Sequence, residues 1–560
     1  MSLHHITKRE KLIVMLAVMS GLLLVALDQT IVATALNSIV TEFKSYSSLG
    51  FVVTAYLLTS TVTVPLAGKL SDMFGRRLIL IIGVTVFTIG SLLSGLAPSM
   101  EWLIVWRLLQ GVGGGMITAN AFTIVGDLFT PRERGKWQGL IGAVFGMSSV
   151  IGPLLGGWLT DGQQILGMTT DWRWTFFINV PVGIVATILI ARFCPPLKHD
   201  SEHHPDYVGA IFITIALASL VLAVDNTETV FRGLIDQGVS LGFIKGTLTV
   251  ISIVSAALFV NAERRAKQPI IPLSFFKKRT FSLMMVVTLL FGAAFLGAIL
   301  YLTQFNQQVF GATASTAGLM LLPMVGGMMV SSITTGQIVS HIGRYKRFIV
   351  AGFSIASLSI LSLITLQPDS PYWHEAIIMV FTGIGMGMAM PILNLAVQNE
   401  FEQKDLGAAT SSVQLSRGLG STIGTALMSG LLTTGIIASL GTLTDIPYIQ
   451  TLKQSPTASQ FFQGDITADT LLLVNTQQDT IRSYAEKSLE AIPVPAVREQ
   501  QLNAFIKQQE DFRTKLIDAF TESLHHIFMI SSVLMVMGLV LVCFVKERPL
   551  RGGVNPTPGE

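Results

Sequence analysis

The chain contains fourteen apolar runs, each long enough to cross a bilayer, and that count decides most of what it can be. A hydrocarbon core about 30 Å thick needs roughly 20 helical residues to span it. Runs of that length fall at about 12–39, 49–70, 78–97, 102–128, 137–160, 174–194, 207–225, 242–262, 281–308, 314–339, 348–366, 374–399, 408–438 and 524–545. Within lipid each backbone amide and carbonyl needs a protein partner, which a helix supplies from its own segment. Only 13% of the 560 residues are charged, about half the fraction usual in soluble domains. The sequence therefore describes an all-α integral membrane protein. From His4-His5 through Lys11 the N-terminus runs into the first apolar stretch without a small-residue cleavage site, so it reads as a retained first helix.

An even number of spans puts both termini on one side, and the basic residues choose that side. Lys8, Arg9 and Lys11; Lys69, Arg76 and Arg77; Arg132, Arg134 and Lys136; Arg264, Arg265 and Lys267; Lys277, Lys278 and Arg279; Arg344, Lys346 and Arg347; and Lys546, Arg548 and Arg551 all fall on the terminal side. The short loops opposite carry only Lys44, Arg173, Arg232 and Lys245. Lys and Arg are retained in cytoplasmic loops, so both termini are expected in the cytoplasm, with the protein in an inner or plasma membrane. The net charge of +3 resides in these membrane-edge loops and implies no nucleic-acid partner. Cys194 and Cys543 sit near helix ends on the same side and imply no disulfide framework.

The pattern repeats internally. Gly68-Lys-Leu-Ser-Asp72-Met-Phe-Gly75-Arg76-Arg77 joins the second and third runs, and its glycines permit a sharp reversal. Its echo is Gly336-Gln-Ile-Val-Ser340-His-Ile-Gly343-Arg344, with Ser in place of the Asp. Gly111-Val-Gly113-Gly-Gly115-Met116 answers to Gly383-Ile-Gly385-Met-Gly387-Met388, and Gly146 through Gly152 answers to Gly418 through Gly424. Echoes in the same order at nearly constant separation imply duplicated halves. The expected division is a six-helix bundle over 1–195, an inserted two-helix hairpin with its connections over 196–279, and a second six-helix bundle over 280–560. The segment 263–279, with Pro269, Pro272 and Lys277-Lys278-Arg279, is suited to lie along headgroups. Within the second bundle, 440–523 forms a long external loop. Helical spacing from Leu502 to Leu524 predicts an amphipathic helix from about 496 into the last span, with a weaker pattern at about 467–490.

Gly68-x-Leu70-x-Asp72-x-x-Gly75-Arg76-Arg77 resembles the loop signature of the major facilitator superfamily, with Met73 where a basic residue often stands. Leu27-Asp28-Gln29-Thr30-Ile31-Val32 resembles the first-helix signature of its fourteen-helix drug/proton antiporters, with Asn37 in place of a Pro. Trp106-Arg107 followed by Gln110 and Gly111 is similar to the fourth-helix motif, whose Arg is implicated in proton transfer. Gly152-Pro153-x-x-Gly156-Gly157, with Gly146 before it, resembles the motif that marks antiporters; Pro153 favours a kink there. Trp172 through Pro181, and Arg417 in Gln414-Leu-Ser-Arg417, also look like this subfamily. The resemblance implies that Asp72 latches onto the other bundle at the cytoplasmic face. The expected receiver is the helix end near Gly407-Ala408, where Asp72, itself read as lying near the start of the third helix, would meet unpaired amides.

Charge inside a membrane helix is a functional candidate by default, and Asp28, Arg107 and Arg417 qualify. Asp28 and Arg107 lie at similar depth by helix rise and are expected to meet. In the simplest scheme proton and cationic substrate compete for Asp28 while Arg107 tunes it; a purely structural ion pair is the alternative. Arg417 either pairs with Asn394, Gln398 or carbonyls, or belongs to an ion pathway. Gln110, Gln304, Asn306, Asn394, Gln398, Gln414 and Arg417 are candidate cavity-lining residues. The paired histidines at 4–5, 203–204 and 525–526 form no organised ligand set, so no metal is expected. Neither a phosphate-binding loop nor a nucleophile–base arrangement is present, so an enzyme is not expected, and neither is a cofactor; the energy source is a proton gradient. The expected activity is proton-coupled export of amphipathic, cationic drugs or toxic organic compounds by a protein in contact with lipid, the monomer being favoured. Export of a lipid or endogenous metabolite is the rival within transport, and a transporter-like receptor the rival outside it.

Overall fold

The computed structural model describes residues 7–43, 49–160, 162–165, 167–195, 206–224, 227–441, 446–454, 468–489 and 494–550. The connection carrying His199, His203 and His204, the chain ends and Lys44 lie outside them. Among the described residues fourteen helical segments are long and apolar enough to cross a membrane.

The first part of the chain forms α1 (Lys8–Phe43), α2 (Leu49–Phe74), α3 (Arg76–Gly95), α4 (Met100–Leu128) and α5 (Pro131–Thr160). A short antiparallel ribbon, β1 (Gln164–Ile165) with β2 (Met168–Thr169), leads into α6 (Trp174–Phe177) and α7 (Asn179–Phe193). The run expected as one helix over 174–194 is thus interrupted at Ile178. Next come α8 (Tyr207–Val224), the single turns α9 (Thr227–Val230) and α10 (Arg232–Ile235), and α11 (Leu241–Arg265). The later part has α12 (Arg279–Gln308), α13 (Ala314–Met320), α14 (Leu322–Ile342), α15 (Lys346–Ser362), α16 (Tyr372–Gln398) and α17 (Leu406–Leu440). Three short helices follow, α18 (Pro447–Gln454), α19 (Ala468–Thr476) and α20 (Gln478–Leu489), then α21 (Pro495–Cys543). The expected span over 314–339 divides at Leu321 into α13 and α14.

Apolar side chains gather into separate cores. Val18, Leu22, Tyr56, Val84, Phe87 and Phe122 belong to one in α1–α4, and Ile31, Val52, Leu103 and Phe176 to another nearer the ribbon. Phe281, Phe291, Phe353, Met386 and Phe528 belong to a larger one in α12–α21. The α8–α11 pair packs beside the seam: Ile213 and Leu217 meet Val62 of α2 and Leu415 of α17. Phe243, Val250, Ile253 and Val254 of α11 face outward, as befits an apolar face in lipid.

Small residues let helices of the two parts approach closely. A Cβ on Gly135 or Gly139 would press on the α14 backbone at Gly336 or Ser332, and Ser332 Oγ donates to the Gly139 carbonyl at 2.9 Å. A Cβ on Gly68 would collide with Ser411 and the Gly407 carbonyl. Gly68 therefore serves close approach from within α2, and the reversal is left to Gly75 alone, at φ 98°. Its echo Gly343 closes α14 at φ 74°.

The long segment before the last span is a folded cap. Tyr448, Ile449, Leu452, Leu471, Val474 and Ile481 are buried in the same core as Phe512, Leu516 and Phe520 of α21. Asn475 Nδ2 donates to Gln308 Oε1 at 2.9 Å, tying the cap to α12. α21 continues from the cap into the membrane span without a break, over 49 residues.

Candidate functional site

The apolar run around Asp28 makes α1 helical, and the helix carries the carboxylate into the first bundle, where it is fully buried. A buried carboxylate needs a partner for each oxygen. Arg107 Nη1 of α4 donates to Oδ2 at 2.5 Å, and Gln110 Nε2, one turn along, donates to Oδ1 at 2.8 Å. Asn179 Nδ2 of α7 reaches Oδ1 at 3.4 Å and Ser91 Oγ of α3 at 3.0 Å. The guanidinium is satisfied in turn: Nη1 also meets Gln110 Oε1 at 2.8 Å, and Nε donates to the Val52 carbonyl of α2 at 3.2 Å. Its carbon lies 4.5 Å from the Tyr56 ring centroid and 5.7 Å from that of Phe176, within cation–π range. One charge pair thus ties together α1, α2, α4 and α7. Gln110, expected to line a cavity, is instead a buried ligand of Asp28.

A second polar cluster lies where α2 ends, at the end of the bundle where α1 begins and α21 finishes. Asp72 occupies the last turn of α2, not the start of the third helix, and Oδ2 accepts from the backbone amide of Ala408 at 3.0 Å. That amide is in the first turn of α17, whose unpaired amides favour an anion. Arg76 pairs with Asp72, donates from Nε to Asp127 Oδ2 at 2.8 Å and from Nη1 to Ser71 Oγ at 2.5 Å. Arg77 donates to the Ala191 carbonyl and holds α3 to α7.

The same end carries the other polar bridges. Gln138 Nε2 donates to Gln398 Oε1 at 2.7 Å, Gln398 Nε2 to the Phe122 carbonyl at 3.0 Å, and Gln403 Nε2 to the Asp127 carbonyl at 3.2 Å. Along α2 and α17 the seam then widens. After the collision at Gly68, a Cβ on Gly418 would meet only Thr61 Oγ1 at 3.9 Å. Arg417 stands part-way up this seam. Its guanidinium carbon is 5.6 Å and 5.3 Å from the ring centroids of Phe122 and Phe145, and its buried Nη1 has no hydrogen-bond partner. Neither suggested side chain takes it: Asn394 Oδ1 accepts from Gln414 Nε2 at 2.8 Å, and Gln398 is engaged as above.

Helix α5 faces both ways. A Cβ on Gly146 would meet Met328, and one on Gly152 would run into Thr30 of α1, whose hydroxyl donates to the Ser148 carbonyl at 2.9 Å. The ring of Pro153 packs against Gly318 of α13, while Gly156 and Gly157 are buried; α5 runs unbroken through Pro153. Gln304 is half-buried, and Asn306 is fully buried in the second core, so Asn306 lines no opening. Sequence reasoning missed Tyr56, Asn179, Asp127 and Glu375. Glu375 is fully buried near the start of α16, beside the Asn306 side chain of α12; its place at a helix end hid it from a search for mid-span charge.

The family model described as Major Facilitator Superfamily matches residues 18–425. The chain belongs to the major facilitator superfamily. Among superfamily relatives, the multidrug transporter protein MdtP of Bacillus subtilis is 35% identical over 94% of this chain and 91% of its own length. Multidrug resistance protein 3 of Bacillus subtilis is 34% identical over 73% of this chain and 77% of its own. The efflux pump dotC of Dothistroma septosporum is 32% identical over 85% and 80%. Of solved structures, the proton:xylose symporter XylE is similar at a TM-score of 0.59 and 14% identity, covering 96% of this chain and 97% of that one. The human organic anion transporter MFSD10 matches at 0.59 and 13%, over 96% and 100%. These two likenesses show the fold. The protein is a multi-pass membrane transporter of small molecules in a family rich in drug exporters, not an enzyme.

Proposed function

We propose that the protein is a proton-coupled antiporter that exports amphipathic organic compounds across the cytoplasmic membrane, with both termini in the cytoplasm. Residues 1–195 and 280–560 act as the two moving bundles, and 196–279 as an inserted hairpin. The observation that carries this reading is the fully buried Asp28–Arg107 pair. A carboxylate held by one guanidinium and two amides is a site that a proton can neutralise, and neutralisation releases Arg107 toward Gln110, the Val52 carbonyl and Tyr56. Because that pair joins α1, α2 and α4, its charge state bears on how the first bundle packs. On this orientation the seam is closed toward the cytoplasm, which corresponds to an outward-facing state.

Asp28 is already enclosed by its partners, so a cationic cargo finds no free carboxylate there, and the cation beside the seam is Arg417. We therefore assign amphipathic cargo without restricting its charge. The driving force is ample for slow export: one charge crossing 100 mV supplies about 2.3 kcal/mol and one pH unit about 1.4 kcal/mol. The test is efflux of a panel of amphipathic dyes and drugs from cells producing the full chain, with and without a protonophore. Efflux that stops when the gradient collapses is expected; efflux indifferent to collapse contradicts proton coupling, and no efflux of any amphiphile contradicts the cargo class.

A further inference from the structure

At the end of the bundle that carries the termini, three segments meet around a cavity of about 350 Å³. Lys277 and Lys278 lie just before α12 and Arg279 begins it, Glu400 follows the end of α16, and Lys546 and Arg548 come from the stretch after α21. Five cations thus face one carboxylate. The frame is built from specific bonds. Arg548 Nη1 pairs with Glu400 Oε2 at 3.1 Å, Lys278 Nζ donates to the Glu400 carbonyl at 2.8 Å and sits 3.9 Å over the Phe401 ring, and Asn399 Nδ2 holds the Arg548 carbonyl at 3.0 Å. With Glu400 taken up by Arg548, Lys277, Arg279 and Lys546 are exposed and make no ion pair among the described residues. The cavity also abuts the first turn of the 30-residue α12, which has no side-chain cap. Its amides add to the positive potential.

The surroundings select the kind of anion. α12 and α21 are both membrane spans, so the cavity lies where they leave the bilayer. Phe276 precedes Lys277 in the chain and Phe544 lies two residues before Lys546, and they expose 48% and 56% of their surface. A small soluble anion has no use for exposed phenyl rings, whereas a lipid places its phosphate beside cations and its chains beside apolar side chains.

We propose that this cavity binds the phosphodiester headgroup of an anionic phospholipid. Lys277, Arg279 and Lys546 receive the phosphate, Arg548 and Lys278 hold the frame, and Phe276 and Phe544 lie along the first methylenes of the acyl chains. The site is separate from the transport pathway and pins the start of the second bundle to the end of its last helix.

The test uses the purified full chain in a neutral detergent, with bound lipid read by native mass spectrometry and thermal midpoint by tryptophan fluorescence. Phosphatidylglycerol, phosphatidylcholine and inorganic phosphate are the added probes. Wild type is expected to retain phosphatidylglycerol over phosphatidylcholine and to gain midpoint from it. The Lys277→Gln/Lys546→Gln variant is expected to weaken that binding by roughly thirtyfold. Arg9→Gln/Lys136→Gln removes two cations at the same face of the first bundle and is expected to leave binding unchanged. Equal loss in both variants, or no preference for phosphatidylglycerol, overturns the proposal in favour of diffuse attraction. A midpoint gain from inorganic phosphate equal to that from lipid overturns the lipid assignment and leaves a free-anion site.

Discussion

Asp28 was legible in the sequence because a carboxylate in the middle of an apolar run costs about 2.5–3.5 kcal/mol to insert, and the same logic exposed Arg107. Their ligands were harder to see. Tyr56 and Asn179 are polar without being charged, and they occur in runs where polar residues more often face solvent or a helix backbone. Only the fold brings Asn179 of α7 to the Asp28 oxygen that Gln110 also holds. Loop charges are less expensive and correspondingly weaker signals. Glu42 illustrates this at the far end of α1, accepting from Arg173 Nη2 at 2.7 Å and from Trp172 Nε1 at 2.6 Å. The Arg173 hydrogen bonds hold the Glu42 carboxyl below its ordinary value of 4.5, against a smaller opposing effect of burial. A carboxyl lowered by folding contributes stability above its ordinary value and loses it as pH falls through the lowered one. Both partners are part-exposed, so the contribution is at most about 1 kcal/mol. The thermal midpoint of Glu42→Gln should therefore lie slightly below wild type at neutral pH and converge with it as pH falls through that lowered value. A gap that persists in acid would assign the difference to packing.

At the scale of elements, apolar length located the spans but not the breaks at Ile178 and Leu321, each followed within three residues by a proline, Pro181 and Pro323, that suits the first turn of the next helix. The α2–α3 connection shows why. Its signature predicted a hairpin loop, yet α2 continues through Asp72 to Phe74 and only Gly75 is non-helical. The acid therefore lies at a helix C-terminus, where the dipole disfavours it, and Ala408 N and Arg76 compensate. Removing its charge should loosen the seam, by about 0.3–1 kcal/mol for an exposed dipole contact and up to about 2 kcal/mol when partly buried. We expect Asp72→Asn to raise the population open at this end by up to roughly thirtyfold. Spin labels on cysteines introduced at Glu133 and Arg347, with Cys194 and Cys543 replaced, would report it as a longer-distance component. Turnover should fall more than substrate binding weakens. A distance distribution unchanged by Asp72→Asn rules out the latch.

For the whole molecule, the count of spans and the glycine echoes implied a duplicated bundle, and the echo of Gly75 in Gly343 is a shared need for positive φ. The cap was legible in part: the weak helical pattern at about 467–490 corresponds to α19 and α20, whereas nothing local showed that Tyr448, Leu471 and Ile481 join the core of Phe512 and Phe520. Distribution of closure along the seam was equally hidden, since it depends on pairs such as Gln138 with Gln398 that no local pattern links. What unites the molecule is the claim that Asp28 carries the proton that drives the two bundles. The direct measurement is substrate-dependent proton movement in proteoliposomes with a trapped pH dye, comparing wild type with Asp28→Asn. Substrate counterflow, an exchange that needs no net proton transfer, is followed in the same vesicles to show that the variant is folded and inserted. Leaving Arg107 unpaired is expected to cost about 3–5 kcal/mol of stability, so Asp28→Asn/Arg107→Gln serves as the stable counterpart. Both variants are expected to retain counterflow and to lose substrate-dependent proton movement. Proton movement undiminished in a counterflow-competent Asp28→Asn protein would contradict it.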